Sequence, residues 1–127
     1  MRLFLLALLV FALVTSGIFI SSHLATKALS EMQKTIAAIP FPTPDDEDLS
    51  VQHTQLQEVM KNWDEISTGI GVVVSHQDIM VLEEELAALL QNAKCSNKDL
   101  YLESLARVDY ILSHMHDTAD VLFRNIL

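Results

Sequence analysis

The chain has one cysteine in 127 residues, Cys95. That excludes an intramolecular disulfide framework and any paired-thiol metal or redox motif. A reactive thiol needs a base or a helix N-terminus beside it, and "AKCSNKD" offers only Lys94 and Lys98, so no catalytic role is assigned to Cys95. Cations are also scarce: eight Lys and Arg stand against 17 Asp and Glu, a net charge of -9 at pH 7. The basic residues are scattered, whereas a protein that tracks phosphates clusters them to release counterions, so nucleic acid is excluded as a partner. Glycine and proline number three each, and all three prolines fall within "IPFPTP".

Catalytic motifs are missing as well. "TGIG" lacks the strand, the lysine and the length of a phosphate-binding loop, and no GxSxG, HExxH or DxDxDG occurs. With no pair of groups placed for proton transfer or nucleophilic attack, the chain is expected not to be an enzyme and to need no cofactor.

What is present is apolar. Half of the residues are hydrophobic, too many for a disordered chain and enough for one small core. The run "LFLLALLVFALVTSGIFI", Leu3 to Ile20, is uncharged and about as long as a helix needs to cross a bilayer core. A cleavable signal peptide is the competing reading, with small residues at "VTS"; the retained anchor is preferred because the apolar run continues through "GIFI". Arg2 precedes the span and Lys27 and Lys34 follow it, so the positive-inside count is nearly balanced; a signal anchor places the rest of the chain outside the cytoplasm. The helix is expected to continue past the membrane, with Ala25, Ala28, Met32, Ile36 and Ile39 at three-to-four spacing.

"IPFPTPDDED" breaks the chain, because prolines at alternate positions remove backbone donors and force extended neighbours. Asp45 and Asp46 then offer capping acceptors to the next helix. Leu49, Leu56, Val59, Trp63, Ile66, Ile70 and Val73 form its seam; "GIGVVV" is read as part of it, with Gly69 and Gly71 marking a close helix approach or a fraying end. A third run carries Ile79, Leu82, Leu86, Leu89 and Ala93, with Ser75 and Asp78 as cap-like residues and Glu83, Glu84 and Glu85 placed where a helix dipole favours anions. A last helix from near Lys98 carries Leu105, Val108, Leu112, Met115, Ala119, Leu122 and Ile126. The predicted fold is all-α: an N-terminal transmembrane helix followed by an antiparallel up-and-down bundle of three to four helices. The predicted division is a transmembrane anchor over 1–22, its amphipathic extension over 23–39, a Pro-rich connector over 40–46 and a helical bundle domain over 47–127.

The stretch "SHMHDTADVLFRNIL" invites a metal reading. On a helix, however, residues two apart point about 200° from each other, so His114 and His116 cannot face one ion. His116 with Asp120 shares a face but supplies two ligands only, and solvated polar residues beside a buried seam are the simpler reading. No metal site is assigned. Trp63 lies on an apolar seam and reads as a core anchor.

The order and spacing of several features resemble the DUF4363 family: a single N-terminal hydrophobic helix after a basic residue, the tryptophan of "VMKNWDEI", the segment "SHQDI", a Leu- and Glu-rich helix, and a terminal helix with "ILSHM" closing on "NIL". The resemblance covers nearly the whole chain, and Trp63, His76, His114, Asn125 and Ile126 match its pattern. "IPFPTP" and "GIGVVV" depart from a more Lys- and Glu-rich norm. The resemblance implies a membrane-anchored bacterial envelope protein with no known activity, often associated with a second small membrane-protein family. The expected function is a protein-interaction or accessory module on the cell membrane, its partner a membrane protein or a second copy. The alternative is an extracytoplasmic sensory or small-ligand-binding bundle, responding near His76 and His114.

Overall fold

A computed structural model of the chain describes residues 1–45, 47–71 and 74–126, with no side-chain description for Leu122, Phe123 and Ile126. Four helices account for most of it: α1 (Arg2–Ala37), α2 (Ser50–Ile70), α3 (His76–Lys94) and α4 (Lys98–Ile126). No strand occurs among the described residues. Each helix packs on two neighbours, in the cyclic order α1, α2, α3, α4 and back to α1. The cross-links run antiparallel: Gln33 of α1 donates to Ser113 of α4 at 3.1 Å, Trp63 of α2 to Glu83 of α3 at 3.2 Å, and Arg107 of α4 to Glu85 of α3 at 2.9 Å. This is the up-and-down form that short connections impose, and α1 supplies the fourth wall.

The sequence explains where each helix stops. α1 tightens at its end, with Ala38 N–H donating to Lys34 at 3.0 Å and Ile39 N–H to Ile36 at 3.1 Å, before Pro40 removes the next donor. α2 does not take its cap from Asp45, and Asp46 lies outside the described residues. Asp48 does that work, accepting the Ser50 amide at 2.9 Å and the Ser50 hydroxyl at 3.1 Å, because it stands close enough to the first turn. α2 ends at Ile70, with Gly71 as its cap residue, earlier than "GIGVVV" suggested; Val72 and Val73 lie outside the described residues. Nothing stands within 4 Å of a methyl group added to Gly69, so this glycine marks no close helix approach.

The turn from α3 to α4 is a Schellman motif. Ser96 N–H donates to Ala93 at 3.1 Å and Asn97 N–H to Asn92 at 3.0 Å, with Ser96 in the left-handed region at φ 54°. Asn97 then accepts the Leu100 amide at 3.2 Å and caps α4.

The core follows the predicted seams with shifts that have physical causes. In α3 all five expected residues are buried. In α1, Leu29 is buried and Ala28 only packs against the core, because α1 shares its inward face between α2 and α4 and that face is wider than a single seam. In α2, Ile66 is half-buried, while Gln52 goes inside since its amide donates to the Pro40 carbonyl at 2.8 Å. In α4, Tyr101 and Ser104 join Val108, Leu112, Met115 and Ala119 in the interior, and Leu105 is partly buried; the side chains of Leu122 and Ile126 are outside the description. Each large apolar side chain so enclosed stabilises the bundle by roughly 1.5–3 kcal/mol.

The lower end of α1 has the opposite character. From Arg2 to Phe11 every residue is exposed, and an 18-residue apolar window in α1 has no buried residue at all. Leu3–Ile20 rises about 27 Å, close to the thickness of a bilayer hydrocarbon core. From Ser22 onward the same unbroken helix turns a face inward, burying Ser22, Ala25, Leu29, Met32 and Ile36.

Candidate interaction surface

The helices bring some of the singled-out polar residues together and leave others apart. Trp63 is 1% exposed, and its indole N–H donates to Glu83 Oε1 at 3.2 Å, so the ring anchors the α2–α3 wall. Glu83, Glu84 and Glu85 begin seven residues into α3, beyond the first turn where the helix dipole acts, and Glu83 and Glu85 reach side chains of neighbouring helices instead. Glu85 binds Arg107, which also reaches Glu103 at 2.7 Å. The hydrogen bonds it donates, to Glu85 first and Glu103 second, push the Arg107 guanidinium above its ordinary value, so it stays a fixed cation. Ser104, fully buried behind it, accepts from Asn92 at 2.8 Å, and this polar set fastens α3 to α4.

His114 Nε2 lies 3.9 Å from Asp78 Oδ2, across the same two helices and nearer to the start of α3. His76 is exposed as the first residue of α3, and Asn125 is exposed near the end of α4. Ile126 has no described side chain. His116 faces Asp117 at 3.8 Å, whereas Asp120 pairs with Arg124 at 3.1 Å, so the structure does not join His116 to Asp120. Among the described residues no three His, Cys, Asp or Glu side chains gather as metal ligands do.

Sequence reasoning missed the apolar surface outside the seams. At the end of the bundle away from the apolar half of α1, a cleft of about 600 Å³ runs between the α1 terminus and α4, lined by Ile36, Ile39, Phe41, Leu102, Leu105 and Asp109 among others. A second of about 560 Å³, lined by Val81, Glu85, Tyr110 and Ile111, lies on the α3 side of α4. Ala106 lines both. Phe41 is 70% exposed and Tyr110 74%. The available signal was a second stripe, Leu102, Ala106 and Tyr110, at four-residue spacing beside the core seam. The connector that presents Phe41 is pinned from below, since Lys98 Nζ donates to the carbonyls of Thr43 at 2.6 Å and Pro44 at 3.0 Å.

A family model described as "Domain of unknown function (DUF4363)" matches residues 19–126, which is the whole bundle including the inward-facing part of α1. The chain belongs to the DUF4363 family. The match begins at the end of the apolar half of α1, so the DUF4363 unit coincides with the four-walled bundle. A search of curated proteins gives no match, and neither does a search of solved structures.

Proposed function

We propose that this DUF4363 protein is a non-enzymatic interaction module, held on the outer side of a bacterial cell membrane by α1 and binding a membrane-protein partner through its bundle. The observation that carries the reading is the continuity of α1: one helix is apolar with no buried residue along its first half and is a wall of the bundle along its second. Exposed apolar surface of that length is unfavourable in water and favourable in lipid, and a helix satisfies its own backbone there. Without a hinge between the halves, the bundle stands at a fixed height above the membrane, which suits presentation of a surface to a neighbour. Partner recovery from crosslinked membranes tests this: repeated recovery of the chain with one membrane protein is the expected result, and repeated recovery of the chain alone contradicts it. Exposed Cys95 tests the side of the membrane. A membrane-impermeant thiol reagent should label it in intact cells; labelling only after permeabilisation contradicts the outer placement.

A sensory reading has one observation in its favour, the His114–Asp78 pair bridging α3 and α4. A protonated imidazole would attract the Asp78 carboxylate there. Both side chains are partly open to water and the separation is long, so the gain is small, about 1 kcal/mol at most. The interaction reading is therefore preferred.

A further inference from the structure

We infer that the outer face of α4 around Ala106 is where the partner docks, and that the docking segment is a basic amphipathic helix; this deepens the interaction reading above and rests on it. The shape of the surface comes first. Tyr101, Ser104, Val108 and Leu112 point into the bundle, while Leu102, Ala106 and Tyr110 follow one another at four-residue spacing beside them, Leu102 partly buried at the edge of the core and Ala106 and Tyr110 exposed. Ala106, exposed and small, forms the crest between the two apolar clefts. Helices pack by laying ridges into grooves, and a small residue at the crossing point lets two axes approach closely. A helix crossing at Ala106 places one apolar row toward Phe41 and Ile36 and another toward Val81 and Tyr110.

Charge selects the occupant. Asp109 lines the first cleft and Glu85 and Glu103 the second. Arg107 pairs with both glutamates and offsets one of them, so this rim keeps one negative charge in excess beside Asp109. The same end of the bundle carries Asp45, Glu47, Asp48 and Asp99 against Lys94 and Lys98, and the Lys98 ammonium is occupied with the Thr43 and Pro44 carbonyls, so the balance there stays acidic among the described residues. An acidic rim around an apolar centre attracts a helix with Lys and Arg flanking its apolar face. A second copy of this chain, with net charge -9, meets its own sign. A lipid surface fits poorly too, since Ala37 stands about 24 Å along α1 from Ser21, and bilayers with negative headgroups repel the rim.

The test uses the full chain in native membranes. A photoreactive phenylalanine replaces Tyr110 in one variant and Val51, exposed on α2, in another. The expected result is an adduct from position 110 that maps to a Lys- and Arg-bearing amphipathic segment of another protein. Its yield should fall about tenfold with Ala106→Arg or with Asp109→Lys, at unchanged helical content, as removal of a central contact does. An adduct from position 51 but not 110 overturns the surface and leaves the partner reading standing. An adduct to a second copy or to lipid overturns the choice of occupant. No adduct from either position, together with no partner recovered by general crosslinking, overturns both.

Discussion

Ser96 accepts the backbone amide of Leu49 through its hydroxyl at 3.1 Å, joining the α3–α4 turn to the start of α2 across 47 residues of sequence. Ser96 does this from the left-handed region, at φ 54°, where glycine is the usual occupant. The hydroxyl gives a reason for serine: Leu49 is wholly buried, and its N–H would otherwise have to be satisfied by something else at the crowded outer end of the bundle.

Two substitutions separate these effects. Ser96→Ala keeps the backbone strain and loses the acceptor, so it should destabilise by roughly 1–3 kcal/mol. Ser96→Gly loses the same acceptor but relieves about 1–2 kcal/mol of left-handed strain, so it should fall between alanine and serine or match serine. Urea unfolding in mild detergent, followed by helical content, gives the order; an alanine variant as stable as the parent refutes the hydrogen bond's role.

The Trp63–Glu83 contact makes a second case. Glu83→Gln keeps an acceptor for the indole N–H and should cost little, whereas Glu83→Ala leaves that donor without its partner and should cost about 1 kcal/mol or more. Trp63→Ala removes the largest enclosed side chain and should cost about 3–5 kcal/mol. The same unfolding curves, read by the single tryptophan's fluorescence where it remains, measure the glutamate pair; equal stability of Glu83→Gln and Glu83→Ala contradicts the assignment.

Gly69 is a glycine inside a helix with open space around it. Gly69→Ala should therefore stabilise the chain by about 0.5–1 kcal/mol, through the smaller entropy of the unfolded backbone. Destabilisation in a melting experiment would mean that another helix approaches there after all.

Burial raises the Tyr101 phenol above its ordinary value of 10.0. A raised value in the folded state means that the folded chain prefers the neutral phenol, so this stability is fully present below the unfolded value and is lost as pH rises through the folded one. Melting temperatures measured from pH 8 to the alkaline limit should fall above about pH 10, and Tyr101→Phe should fall less steeply. Identical slopes would contradict a buried, neutral phenol.

Much of this architecture was legible beforehand because periodicity reports burial directly. Ile79, Leu82, Leu86, Leu89 and Ala93 were recoverable since α3 has two neighbours and one clean apolar stripe. The start of α4 was legible for a similar reason, as Asn97 and Lys98 lie where turn-forming residues give way to a periodic run. Caps were harder. Asp45 and Asp48 look alike in composition, and only the turn geometry decides which carboxylate reaches the Ser50 amide. The role of Glu85 was hidden because its partner, Arg107, lies 22 residues away on another helix. The outer face of α4 escaped notice because Leu102, Ala106 and Tyr110 run close to the core seam, and a one-dimensional pattern does not say which of two adjacent stripes is covered.

In the proposed arrangement one unbroken helix, α1, is both the membrane span and a wall of the bundle. This arrangement is tested most directly by a spin-label accessibility scan of residues 2–37 in liposomes, on a Cys95→Ser background. The predicted result is lipid exposure at every position of Leu3–Ile20, changing near Ser22 to a helical repeat with protection at Ala25, Leu29, Met32 and Ile36. Water exposure along Leu3–Ile20, or loss of the helical repeat between Ser21 and Ala28, would contradict it.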